Sequence, residues 1–549
     1  MRSLFASLAL AAAIVPATPG LADEGLQEPP QLVVAISVDQ FSGDLFAQYR
    51  QHFAFGLKRL MEGAVFPSGF QSHASTETCP GHSTLLTGAR PARTGIVANY
   101  WFSPGIARAD KRVYCSEDLN DTSSTSKEPA VSARLLKVPT LGDRLKAANS
   151  LNRNVAVSAK DRAVVMMGGH NIDAGYWWKG NGFVTFAGRT LSPAAEGEND
   201  DAARVIAAGG RSYPVPAWCE ARDRTVAVGK REVGTGRFAM KKGDATAFRV
   251  SPRMDNATAD LALRLVDEMD LGKGPATDVL SISLSANDYI GHAFGTEGVE
   301  MCIQMAELDK TIGRILTRLD QRNIDYVVAL SADHGGFDAP ERLVQQALPG
   351  AMRVDKALDT ETLAKAVTAK TGITTTGPML YSDGPGSDIY VTDALGSADK
   401  AKVAAALATI LRGHSQIAAV FTAQELAEAP MPTGSPQDWT LKERARASFD
   451  AERSGALIVL LDRDVVSIPD PDRGSIATHG SPWDYDRRVP ILFWRKGLPG
   501  FEQPSPVETV DIAPTMAAIL GLAVPEGAFD GRCLDIDGGP ANTCDGARP

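Results

Sequence analysis

The chain carries no excess of positive charge: 56 Lys and Arg stand against 66 Asp and Glu, for a formal net charge of −10 over 549 residues. That balance argues against nucleic acid as a partner and leaves no basic stripe for anionic lipid, so affinity for an anionic ligand has to be built locally. Beyond the N-terminus no run approaches the ~18 apolar residues of a membrane span, and no internal repeat or low-complexity tract interrupts the sequence. Cysteine is sparse, with six residues. Cys79 has no Cys-x-x-Cys spacing behind it, so no redox role is read there. What is present is an ordinary globular composition, 44% hydrophobic and 22% charged, long enough for two or more domains. Met1–Ala22 has the form of a cleaved secretory signal: Arg2, an apolar run from Leu4 to Val15, and Gly20-Leu21-Ala22 before Asp23. No cysteine adjoins that site to take a lipid anchor. A soluble, monomeric, exported protein is expected, periplasmic or secreted, in a compartment where cysteines are free to pair. Six cysteines allow about fifteen connectivities, and the pair favoured is Cys533 with Cys544, close together in a Gly-, Pro- and Asp-rich tail.

Gln31–Val38 is a nearly continuous β-branched run, the signature of a central parallel strand buried on both faces, and Asp39 stands at its end. Leu45, Phe46, Tyr49, Phe53, Leu57 and Leu60 recur at helical spacing and predict one crossover helix before a strand at Ala64–Phe66. Further strands are predicted at Asn154–Ser158, Asp278–Leu284 and Tyr326–Leu330. They alternate with helices at Leu141–Ala148, Asn256–Met269 and from Met301 to Leu319, and a strand Val489–Trp494 and a helix Ile512–Leu520 close the chain. This rhythm belongs to an α/β fold with a mostly parallel central sheet and helices on both faces. Residues 170–250 show no clear period and read as surface elaboration near the mouth of a site. From 348 to 468 the rhythm weakens, with a strand near Ile389–Val391, a helix at Lys400–Leu411 and a strand at Ala456–Leu461. That stretch reads as an α+β cap domain inserted in a catalytic domain made of 23–347 and 469–549.

The rest of the chain is organised around Thr78-Cys79-Pro80-Gly81-His82. Pro80 suits the first turn of a helix, because its missing N–H would be unpaired there anyway. Thr78 is thereby placed at a helix N-terminus, where free N–H groups and the dipole favour an anion such as phosphate. Taken alone, such a stretch more often marks a threonine that caps a helix and does no chemistry. Asp39, Asp288 with His292, Asp333 with His334, and His479 change that weighting, because each follows a strand or a glycine-marked turn, where an open parallel sheet gathers its ligands. Three carboxylates and three imidazoles without thiolate suit two divalent metals, zinc or a similar ion. Singly, these residues would read as caps and satisfied polar groups. Lys160 and Arg162 stand at another strand end and Asn99 follows the threonine stretch; surface solvation is the plain alternative for them. His52, His73, His170 and His414 have no comparable context and read as structural, and His82 as a support for its loop. Asp462, Asp464, Asp470 and Asp472 cluster in a loop-rich stretch able to hold calcium, though solvated carboxylates are the simpler reading.

Together, Asp39, Thr78-Cys79-Pro80-Gly81-His82, Asn99, Lys160-Asp161-Arg162, Asp288-x-x-x-His292, Asp333-His334-Gly335 and Thr478-His479-Gly480 resemble the alkaline phosphatase superfamily. More narrowly, they resemble its exported bacterial threonine-nucleophile alkaline phosphatases of the PafA/PhoK type, from Asp39 to about Trp494. The resemblance implies an alkaline phosphatase-like fold and a zinc-dependent phosphatase acting on small phosphate monoesters. One zinc would be held by Asp288, His292 and His479, the other by Asp39, Asp333, His334 and the Thr78 oxygen. Thr78 would form a phosphothreonine that a second, metal-activated water hydrolyses, while Asn99, Lys160 and Arg162 hold the nonbridging oxygens. Elementary chemistry agrees, since divalent cations lower the pKa of a bound hydroxyl or water and stabilise a leaving oxygen. A nucleotide pyrophosphatase/phosphodiesterase of the same superfamily would share the metals and the threonine, but Lys160 and Arg162 suit the extra charge of a monoester dianion. A sulfatase would need a Cys-x-Pro-x-Arg pattern that residues 79–82 lack. An inactive metal-binding scaffold is opposed by the presence of every expected ligand.

Overall fold

Leu32–Val38 is buried along its whole length and runs parallel to Asp278–Leu284 on one side and Tyr326–Ser331 on the other. In the computed structural model, which describes residues 28–346 and 348–546 and so leaves the signal-like segment 1–22 outside, this strand lies at the centre of a ten-stranded sheet. The order across the sheet is Phe501–Glu502, Ala64–Phe70, Arg488–Arg495, Tyr326–Ser331, Leu32–Val38, Asp278–Leu284, Asn154–Ser158, Ala174–Lys179 and Gly182–Val184, with Val507–Glu508 beside Ala64–Phe70. The run from Tyr326–Ser331 to Ala174–Lys179 is parallel, whereas Arg488–Arg495 is antiparallel to both its neighbours.

Side chains alternate along a strand, so one strand feeds two cores. Leu32, Val34, Ile36 and Val38 pack with residues of the helices Pro252–Glu268 and Val299–Gln321. Val33 and Ala35 pack on the other face with Leu85, Leu86 and Met516, from the helices Thr78–Thr87 and Ile512–Ile519. Each such fully buried aliphatic side chain stabilises the fold by about 1.5–3 kcal/mol. Helices on both faces are what a continuously apolar parallel strand requires.

Two expectations are corrected. The single crossover helix after the first strand is in fact two, Gly43–Tyr49 and Gly56–Leu60, joined through a 3₁₀ turn at Arg50–His52. Asp309 holds the break open: its carboxylate accepts from the backbone N–H groups of Ala54, Phe55 and Leu57 at 2.7, 2.9 and 2.7 Å. Gly56 lies so close to the Val299–Gln321 helix that a Cβ there would sit 2.2 Å from the Gly313 nitrogen. Residues 170–250 are more than surface elaboration, since Ala174–Lys179 is a parallel strand of the main sheet and Pro193–Ala208 a helix packed on Pro252–Glu268. Trp177 and Trp178 of that strand are buried in different clusters, so no polar–apolar alternation marks it.

Between residues 352 and 466 a separate hydrophobic cluster forms around Leu363, Val403, Leu407, Val420 and Val459. The antiparallel ladder of Ile417–Thr422 with Leu457–Leu461 in this stretch joins no strand of the main sheet. Cys533 pairs with Cys544 as its tail composition suggested, and the other cysteines pair as Cys79–Cys115 and Cys219–Cys302. Three disulfides suit an oxidising compartment. Among the described residues, no helix is long and apolar enough to cross a membrane.

His73 is buried with no hydrogen-bond partner on either ring nitrogen. Burial, with Arg487 and Arg90 nearby, lowers its pKa from 6.5 to about 3. As pH falls below 6.5 the unfolded chain takes up a proton that the folded chain refuses until about pH 3. This residue therefore removes stability through that window, at about 1.4 kcal/mol per pH unit. Urea midpoints measured across it should fall less steeply for His73→Gln than for the parent, by about one proton's worth of slope. Equal slopes would mean the imidazole is not held neutral by the fold.

Candidate active site

Asp39, Lys160, Asp288 and Asp333 follow the carboxyl ends of four adjacent parallel strands, where the backbone leaves the sheet and side chains converge. Thr78 joins them as the first residue of its helix. The residue before it, Glu77, holds the N-cap position at φ −114° and ψ 165°, and no side chain caps the helix. The capping alternative thus does not describe Thr78. Gly81 sets how close this helix comes, since a Cβ there would lie 1.9 Å from the Asp333 carbonyl oxygen.

Two triads form. Asp288, His292 and His479 make one and Asp39, Asp333 and His334 the other; within each, the potential ligand atoms lie within 4.8 Å of one another. All three imidazoles turn Nδ1 to a backbone carbonyl: His292 to Ala477 at 2.9 Å, His479 to Thr76 at 2.8 Å and His334 to Gly335 at 2.8 Å. A carbonyl oxygen only accepts, so Nδ1 carries the proton and Nε2 keeps its lone pair. Those lone pairs face carboxylate oxygens: His292 and His479 Nε2 lie 3.2 and 3.4 Å from Asp288 Oδ1, and His334 Nε2 lies 3.2 Å from Asp333 Oδ2. Lone pair against anion is repulsive unless a cation lies between them. Asp39 Oδ1 and His334 Nε2 are also buried without a hydrogen-bond partner. The residues therefore fit a pair of divalent ions with nitrogen and oxygen ligation. Burial, then the charge of Asp333, pushes the Asp39 carboxyl well up, and burial lowers His334 to about 3.

Lys160 links the triads. Its Nζ lies 2.6 Å from Asp39 Oδ2 and 2.6 Å from Asp288 Oδ2, and 3.4 Å from Thr78 Oγ1. Burial opposes its charge, but Asp288 and Asp39 outweigh it and raise its pKa. Arg162 Nη2 reaches the same threonine oxygen at 3.4 Å, and the neighbouring Asp161 accepts from Tyr114 O–H at 2.6 Å. Three carboxylates against two cations leave negative charge in excess, and two divalent ions would reverse that sign and suit a dianion. Asn99, Arg162, His292 and His479 line one cavity of about 290 Å³.

Of the remaining histidines, His52, His170 and His414 lie apart from the triads. His52 stacks on Trp218, His170 contacts Asp143 and the Leu136 carbonyl, and His414 faces Asp355. His82 supports its loop through Thr78 O at 2.9 Å and Ser283 Oγ at 2.9 Å, and reaches Asp333 Oδ2 at 3.1 Å. The four carboxylates weighed for calcium do not gather into a metal-ligand group among the described residues; Asp472 accepts from Lys230 N–H at 2.7 Å and Asp470 faces Arg473. One contributor was missed in the sequence. Gln40 adopts φ 64°, donates its N–H to Asp333 Oδ1 at 3.1 Å and its Nε2–H to Asp288 Oδ1 at 3.2 Å, tying the two triads together. Its place beside Asp39 was the one available signal, because a glutamine at a strand end carries no pattern of its own.

Fold and site define an α/β protein with paired metal-ligand triads beside a threonine that begins a helix. The chain belongs to the type I phosphodiesterase / nucleotide pyrophosphatase family, whose family model matches residues 33–482. It is 51% identical over 522 residues to alkaline phosphatase PhoK of a Sphingomonas species, covering 94% of this chain and 93% of that one. It is 47% identical over 517 residues to alkaline phosphatase PhoD of Zymomonas mobilis subsp. mobilis, covering 94% and 89%. The crystal structure of alkaline phosphatase PafA has the same fold, with a TM-score of 0.78 at 24% identity over 93% of this chain and 99% of that one. The resemblance read from the motifs is borne out at the level of family and fold.

Proposed function

We propose that this protein is an exported alkaline phosphatase that hydrolyses small phosphate monoesters through a phosphothreonine at Thr78. The zinc ions would be held by Asp288, His292 and His479, and by Asp39, Asp333, His334 and Thr78. The observation that carries this reading is the Thr78 oxygen at a helix N-terminus with Lys160 and Arg162 each 3.4 Å away, Lys160 being bonded in turn to one carboxylate of each triad. Two relatives named alkaline phosphatases, at 51% and 47% identity, support it. Zinc ions held there would supply Lewis-acid stabilisation of developing charge and lower the pKa of a bound oxygen. The chain's own groups do the rest. Thr78 Oγ bonds to phosphorus as the bond to the leaving oxygen breaks; water then cleaves the phosphothreonine, releasing inorganic phosphate and restoring the hydroxyl. Arg162, Lys160 and Asn99 hold the nonbridging oxygens, Arg162 as a rigid fork and Lys160 as a point charge. Residues 348–468 form an inserted cap domain, a reading supported by Asp388, Ile458 and Leu460 in the cavity wall.

The diesterase reading is weighed by the same two cations. A monoester brings a dianion whose nonbridging oxygens stay charged in a loose transition state, whereas a diester brings one charge and an extra substituent. Each charge-assisted contact is worth about 1.5–3 kcal/mol, so losing both should cost roughly two to four orders of magnitude in monoester turnover. The experiment compares kcat/KM for an aryl phosphate and its methyl ester in the parent and in Lys160→Ala/Arg162→Ala. A loss concentrated on the monoester is expected, and equal losses would mean these residues do not set specificity.

A further inference from the structure

In the proposed function Asn99 binds the substrate phosphate, and the role inferred for its neighbour Glu77 rests on that reading. The polar groups of Asn99 are unequally engaged. The backbone N–H donates to Glu77 Oε2 at 2.7 Å, the backbone carbonyl accepts from Cys115 N–H at 3.0 Å, and Oδ1 accepts from Cys79 N–H at 2.8 Å. The Cys79–Cys115 disulfide joins the two residues whose N–H groups grip it. Cys79 N–H needs an oxygen, so the amide orientation is decided by the network, and Nδ2 is the group left without a partner among the described residues. Asn99 lines the cavity at the site. What it can offer there is therefore a donor, as a phosphate oxygen requires.

Glu77 is the side chain in this cradle that grips the Asn99 backbone. It lines the same cavity and has no ion-pair partner within 4.0 Å among the described residues. A carboxylate beside a site for a dianion is electrostatically unfavourable, and packing alone would be served by an uncharged residue. We infer that Glu77 is a positioning residue: by accepting the Asn99 N–H it fixes the turn that carries Asn99, so that Nδ2 meets a nonbridging phosphate oxygen. It acts through Asn99 and does not itself bind substrate.

The test measures kcat/KM for an aryl phosphate and the inhibition constant of inorganic phosphate in the zinc-loaded enzyme. The variants are Asn99→Ala, Glu77→Ala, Glu77→Gln and Glu77→Ala/Asn99→Ala, each checked for zinc content and thermal midpoint. Asn99→Ala should lose roughly 10- to 100-fold on both readouts, the worth of one charge-assisted contact. Glu77→Ala should lose most of that amount, Glu77→Gln should be largely rescued because its amide oxygen still accepts the N–H, and the double variant should be no worse than Asn99→Ala alone. Glu77→Met, which keeps the bulk and removes the acceptor, serves the same comparison if Glu77→Ala does not fold. Losses that multiply in the double variant, or a Gln variant as poor as the Ala or Met variant, would overturn the role of Glu77 and leave the reading of Asn99 standing. A fully active Asn99→Ala enzyme would overturn both.

Discussion

If Thr78 is the nucleophile proposed above, Thr78→Ala should keep its fold, its disulfides and whatever metal the parent binds while losing roughly four to six orders of magnitude in kcat, the scale seen when a nucleophile acting as part of a unit is deleted. The fold should survive because the hydroxyl makes only two long contacts, to Lys160 and Arg162 at 3.4 Å, and the helix it begins depends on no cap from it. Lys160 keeps its other partners, Asp39 and Asp288. Activity should collapse because only the attacking oxygen is gone, and no other Ser, Thr or Cys side chain among the described residues meets both cations in its place. Acid-quenched turnover of the parent, digested and read by mass spectrometry, should carry phosphate on the peptide containing Thr78. Phosphate mapped to another residue would refute the assignment.

The second large effect is loss of metal. Asp333 Oδ1 accepts from the N–H groups of Gln40 and His334, and Oδ2 lies 3.1 Å from His82 and 3.2 Å from His334. Asp333→Ala would remove one charge and open a buried gap, so Asp333→Asn, which keeps the shape and an acceptor, separates the two effects. Both variants, and His292→Ala at the other triad, should lose bound metal, proposed to be zinc, on dialysis and about 10³-fold or more in turnover together, since a cation at a developing charge supplies several kcal/mol. Metal content by mass spectrometry, measured beside kcat, is the check. Undiminished turnover in a zinc-free preparation would sink the two-metal reading.

Several parts of this arrangement were legible in the chain. Leu32–Val38 and Asp278–Leu284 announce themselves as central strands because burial on both faces leaves a nearly continuous apolar run, broken only by small serines and the Asp278 that opens the second strand. Once such strands are recognised as parallel, Asp39, Asp288, Asp333 and Lys160 are expected to meet, since an open parallel sheet brings its carboxyl ends to one edge. Pro80 announces the helix start that Thr78 occupies. In each case the signal lies within a few residues of the feature it specifies.

The tertiary structure decided what depends on residues distant in sequence. Asp309 splits the first crossover helix, and Lys160 and Gln40 bridge the two triads. Cys115 and Glu77 clasp Asn99, and Ala174–Lys179 extends the sheet although it holds no β-branched residue. Periodicity records the environment of each element along its own axis. It carries no information on which element arrives opposite, or in what register, and those are set by how two cores close around one sheet.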